Sequence, residues 1–296
     1  MPYIGEISAL ATAVMWTGSS LSFAAATTRI GSVYVNVTRL FFAVGLLLGT
    51  ILLAGIPFEV SLRQICFLVL SGLVGFVFGD TFLFKSYEYN SARIAALIMS
   101  AVPAITAIFA YMFLRETLAP AGIAGMAITL AGITLVVAER KELSSHPVPI
   151  SMIGVFYAFL AAIGQAGGLI LAKNAFALGP INGFLATLIR ASSAVIILAL
   201  MNYAAGRYTK PIEVYSKDRK ALSFTVLGSV FGPFLGVTFS LISISLTKVA
   251  IAATIMALVP ILMLPTVRIF FHEHLSWRAI VGACVAVVGV GVLFLR

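Results

Sequence analysis

A few ionisable side chains stand deep inside apolar sequence. Arg39, Asp80 and Arg190 each fall within a long run of hydrophobic residues. A charge surrounded by hydrocarbon persists only if it is paired, hydrogen-bonded or facing water. At about 1.5 Å per residue, Arg39 lies roughly 7 Å into its run, counted from Tyr34. Asp80 lies at a similar depth from the end of its own run, on the same face, and the spacing predicts an Arg39–Asp80 ion pair. Internal matching places Arg190 on Arg39, but Val237 stands where a second Asp80 would be. Arg190 is therefore a candidate for holding an anionic group; the alternative is that both arginines extend to the interface. Asp80 is also a candidate for proton coupling, since burial lifts a carboxyl pKa, although structural pairing is the favoured role.

Other polar and small residues suit the wall of a cavity. The first run carries Trp16, Thr17, Ser19, Ser20 and Ser22, and the sixth carries Gln165 among Gly164, Gly167 and Gly168. Trp16, Ser19, Asn36, Arg39, Asp80, Gln165 and Arg190 form the candidate substrate-binding set. Hydroxyls bonded to their own helix backbone are the competing reading. Gly75-x-x-x-Gly79 and Gly232-x-x-x-Gly236 place small residues on one helix face and predict close helix packing. Pro103, Pro233 and Pro260 remove backbone donors inside apolar runs, so they are candidate kinks or gates. No nucleophile with a positioned base occurs at membrane depth, which argues against an enzyme. His272 and His274 are two residues apart and diverge around a helix, so no metal site is expected; no cofactor is expected either. Cys66 and Cys284 read as small core residues.

The elements that must hold these residues are transmembrane. The 296-residue chain is 61% hydrophobic and only 10% charged, with a mean hydropathy of +1.12. A soluble domain carries about 25% charged residues. The +9 net charge sits in loops at helix ends, a pattern suited to lipid headgroups; nucleic acid is not an expected partner. The first apolar run lacks a basic leader and a cleavage site and reads as a retained helix. Runs long enough to span occur at 4–26, 34–54, 65–84, 94–114, 120–138, 150–171, 181–204, 221–244, 249–271 and 277–295. The expected fold is all-α, with ten transmembrane helices in two inverted five-helix repeats: residues 1–138, a linker at 139–149, and residues 150–296.

The repeat is visible in the rarer residues. A shift of about 157 carries Gly75, Gly79, Thr81, Phe82 and Ser86 onto Gly232, Gly236, Thr238, Phe239 and Ser243. It also carries Pro103 onto Pro260 and Glu116 onto Glu273, while a slightly different shift carries Trp16 onto Gln165 and Arg39 onto Arg190. Each unit holds an odd number of spans, so the second must enter the membrane from the opposite face. That is the inverted repeat of secondary transporters.

The segments IMSAVPAITAIFAYMFLRETL and IMALVPILMLPTVRIFFHEHL, each followed by a Gly-rich helix, resemble the proline-bearing fourth helix of the EamA family in the drug/metabolite transporter superfamily. AVMWTGSS, VNVTRLFF and Gly79-Asp80-Thr81 add to the resemblance, which covers nearly the whole chain. One departure is that the family's Gly before Glu is Arg115 in one half and His272 in the other. The resemblance implies ten helices around a central cavity lined mainly by helices 1, 3, 4, 6, 8 and 9. It implies uniport, exchange or proton-coupled export of metabolites such as amino acids; a monomer or weak homodimer in a prokaryotic inner membrane is expected. It also suggests cytoplasmic termini, whereas the excess of loop Lys and Arg on the opposite face would place the termini outside. A lipid-linked headgroup flippase or a membrane scaffold is the alternative function.

Overall fold

A computed structural model describes residues 3–139, 150–264 and 277–294. Of the expected linker at 139–149, all but Glu139, which is helical, lies outside the described residues, as does the His272–His274 turn. The first unit contains α1 (Ile4–Ile30), α2 (Ser32–Ala54), α3 (Leu62–Tyr89), α4 (Ile94–Leu114) and α5 (Pro120–Glu139). The second contains α6 (Met152–Ala177), α7 (Gly183–Ala204), α8 (Arg219–Leu246), α9 (Val249–Leu264) and α10 (Trp277–Phe294). A short helix, Pro211–Lys217, lies in the loop before α8.

Among the described residues, seven helices are long and apolar enough to cross a bilayer: α1 to α4 and α6 to α8. The described apolar stretches of α5, α9 and α10 are shorter. Leu52, Leu53, Leu62, Ile108, Phe113, Leu200 and Val288 all point outward and are exposed. A surface this apolar is suited to lipid contact. Cys66 and Cys284 are exposed too. This corrects their assignment to the core: apolar helices have an outer face as well, and hydrophobicity alone does not tell the faces apart.

The helices pack reciprocally between the two units. In one direction α1 runs antiparallel along α8, with Gly5 beside Thr247, Ser19 beside Gly232 and Phe23 beside Gly228. In the other, α6 runs antiparallel along α3, with Gln64 bonded to Ala175 O, Ser71 to Gly168 O and Gly79 beside Gly164. The outer pair α5 and α10 is also antiparallel, Gly125 meeting Gly289 and Gly132 meeting Ala286. A Cβ on Gly164 would lie 2.6 Å from Gly79 Cα, so these two backbones approach too closely for any side chain.

Local irregularities also recur in matched places. Residues Leu73–Asp80 of α3 and Val230–Gly236 of α8 are both wound as π-helix. Pro233 lies in the second, and a proline cannot donate to the carbonyl four residues earlier. The wider i→i+5 turn accommodates it while the helix continues. In α4 the regular helix is interrupted at Ser100–Ala101, shortly before Pro103, and in α9 at Ala257–Leu258, shortly before Pro260. Each proline leaves the carbonyl of Met99 or Met256 without its helical donor.

A cavity walled by both units

A cavity of about 130 Å³ lies between the units. At roughly 10–15 Å³ per water on the same measure, that is room for on the order of ten waters. Seven helices contribute to its wall, α1 to α4, α6, α8 and α9. The lining residues of α1 and α3 fall between the middle of the bundle and the end where Arg29 Nε donates to Asp218 at 2.7 Å. At the opposite end, Lys173 Nζ donates to Ile244 O (2.6 Å) and Thr247 O (3.0 Å). There Lys248 Nζ also donates to Thr117 O at 2.6 Å, and Val249 N–H donates to Glu116 at 3.1 Å. Glu116 thereby caps the N-terminus of α9. Arg115, just before it, adopts φ 52°, a left-handed backbone that glycine accommodates more readily. This accounts for the glycine of the family pattern at this position.

The centre of charge is the Arg39–Asp80 pair. Arg39 Nη2 donates to Asp80 Oδ2 at 2.5 Å, and both side chains line the cavity. Arg39 is 4% exposed. Its guanidinium also donates from Nε (3.1 Å) and Nη2 (2.9 Å) to Asn36 Oδ1. Asn36 Nδ2 donates in turn to Thr81 Oγ1 at 3.2 Å, tying α2 to α3. The rings of Phe84, Phe23 and Phe76 surround the same guanidinium, with centroids 4.7, 5.4 and 5.6 Å from its carbon. A delocalised, weakly hydrated cation is suited to such a cage.

Of the candidate substrate-binding residues, Trp16, Ser19, Arg39, Asp80 and Gln165 are on the wall. Asn36 and Arg190 lie behind it. Asn36 sits one helical turn from Arg39, accepts from it through Oδ1, and borders a second, smaller cavity with Thr81 and Phe84. Arg190 is 3% exposed and does not line the cavity; its guanidinium carbon is 5.1 Å from the ring centroid of Phe76, which does. Its Nε has no hydrogen-bond partner. Gly232, Pro233 and Pro260 are on the wall; Gly75, Gly79 and Gly236 serve helix contacts, and Pro103 is buried off the wall. The residue-by-residue reading of the sequence missed Phe23, Phe76, Tyr87, Met99 and Met256, which supply much of the apolar wall. Their types do not distinguish a cavity wall from a packed core. Several hydroxyls bond within their own helices, Thr17 to Ala13 O and Ser22 to Gly18 O among them.

The chain can now be set beside known proteins. A crystal structure described only as that of a protein superposes with a TM-score of 0.68 over 96% of both chains, at 19% identity. At that identity the likeness shows the fold. No curated protein matches the sequence. The model of the EamA-like transporter family matches residues 3–138 and again residues 152–295. A match repeated over both units, on an all-helical membrane architecture with a cavity between them, places the chain in the EamA-like transporter family.

Proposed function

We propose that the protein is a secondary transporter that moves a small metabolite, an amino acid or related compound, by alternating access through the cavity between its two units. The carrying observation is that one cavity is walled by helices of both units and holds a caged ion pair on its surface. The apolar wall supplies burial for a solute body, and the polar groups of Ser19, Ser20, Gln165, Arg39 and Asp80 supply orientation. A space for about ten waters suits a solute of roughly ten heavy atoms.

Ten spans in two inverted units fit the reciprocal packing of α1 on α8 and α6 on α3. Exchange of the two units' conformations would open the Lys173, Lys248 and Glu116 contacts and close the opposite end. The test is uptake into proteoliposomes across a panel of amino acids and metabolites, with and without a pH gradient. Saturable uptake that Trp16→Ala weakens is the expected result. Protein-independent flux for every solute would overturn the proposal, and stimulation by the pH gradient would establish coupling to protons.

A further inference from the structure

Among the described residues, the charges clustered around Phe76 do not balance. Arg39 on α2, Asp80 on α3 and Arg190 on α7 converge around Phe76, whose ring lies against both guanidiniums. Asp80 is within electrostatic reach of both arginines, yet it bonds only Arg39. Among the described residues, the lining side chains that carry an ionisable group are Arg39, Asp80 and Tyr87. Among the described residues no carboxylate pairs with Arg190, and Val237 occupies the repeat position of a second aspartate. The cluster therefore carries one positive charge in surplus, next to a cavity walled mostly by Trp16, Phe23, Phe76, Phe84, Met99 and Met256.

We propose that the preferred solute is a net monoanion with an apolar or aromatic body, an amphiphilic monocarboxylate, and that Arg190 selects it from behind the wall through its field. The inference rests on the transport reading above but shifts its solute from an ordinary amino acid, a zwitterion with no net charge, to a related net anion. No contact with Arg190 is required. A unit charge about 10 Å away, at an effective dielectric of about 20, alters the affinity for another unit charge by roughly tenfold or more. An uncompensated buried cation is costly, and the arriving carboxylate offsets that cost. An anion is thus favoured over a zwitterion of the same body, and a cation is disfavoured.

The experiment uses three probes with one body: 3-phenylpropanoate, phenylalanine and 3-phenylpropylamine. Their binding to the purified full-length protein in detergent is measured by calorimetry at pH 7. The expected order is phenylpropanoate tightest, phenylalanine weaker by about tenfold, and the amine weakest. Arg190→Gln is expected to remove the anion preference while zwitterion binding remains, and Arg190→Lys to preserve it. Val237→Asp adds a carboxylate to the wall without touching Arg190 and is expected to remove the preference as well. It keeps the test decisive if Arg190→Gln does not fold. Phenylalanine binding at least as tightly as phenylpropanoate would overturn the inference and leave the cavity as a solute site. A preference unchanged in either charge-cancelling variant would overturn the role of Arg190. Failure of all three probes to bind, together with failure of the metabolite panel in proteoliposomes, would instead remove the transport reading.

Discussion

The seam between α1 and α8 and the seam between α6 and α3 are matched in backbone and different in chemistry. Both use a Gly-x-x-x-Gly helix wound as π-helix along part of its length. In the first seam, Gly232 and Gly236 receive Ser19 and the indole of Trp16, so side chains fill the approach and one flank of each borders the cavity. In the second, Gly79 receives the backbone of Gly164 and Gln165, so main chain meets main chain there, while Gly75 faces Gly168 and the Arg190 guanidinium. The matched arginines differ as well. Arg39 is paired, braced and caged, whereas Arg190 lies against one ring without a carboxylate. Two units can therefore keep one geometry while the binding chemistry concentrates in the first, which supplies the indole, the hydroxyls and the ion pair.

The sharpest way to break this contrast is to remove each arginine in turn. Arg39→Met leaves Asp80 buried without its partner and should cost about 3–5 kcal/mol. Arg190→Met removes an uncompensated charge and should leave the melting temperature in detergent unchanged or higher. Equal losses would mean that the two sites are not energetically distinct.

The seams can be compared by adding one methyl group. Gly164→Ala drives a Cβ into the Gly79 backbone and should destabilise by about 1–3 kcal/mol. Gly18→Ala meets only Phe231 at 3.7 Å and should change stability by no more than about 0.5 kcal/mol. Thermal unfolding followed by circular dichroism measures both. On the cavity side, Trp16→Ala should weaken binding of an aromatic solute by about fivefold, from the loss of roughly 1 kcal/mol of ring contact. Gln165→Ala, at the matched position, should weaken it less.

The smallest expected effect lies outside the membrane. The Ala221 N–H and the Arg29 guanidinium hold the Asp218 carboxyl below its ordinary value of 3.8. A carboxylate whose folded pKa is depressed stabilises the fold above its unfolded pKa and loses that contribution as pH falls through the folded value. A melting series should therefore decline below about pH 4, and Asp218→Asn should flatten the decline slightly.

Much of the fold was legible because glycine, proline, glutamate and arginine are rare enough in apolar helices for their recurrence to carry meaning. The Arg39–Asp80 pair was legible for the same reason: two opposite charges at equal depth have few other solutions. Depth, however, does not fix the direction in which a side chain leaves its helix. Asn36 therefore turned out to brace Arg39, Arg190 fell behind Phe76, and Cys66 faced outward. The π-helical stretches depend on hydrogen-bond register, which composition does not encode. The apolar wall residues were invisible because methionine and phenylalanine serve cores and cavities alike.

The most direct test of the central claim is accessibility of the wall from each membrane face. With Cys66 and Cys284 replaced by alanine, Ser19→Cys places a thiol on the cavity wall. An impermeant maleimide would then be applied to right-side-out and inverted vesicles in turn. Labelling from both faces, slowed in each case by a transported solute, is the predicted result. Labelling from one face alone under every solute condition would contradict alternating access through this cavity.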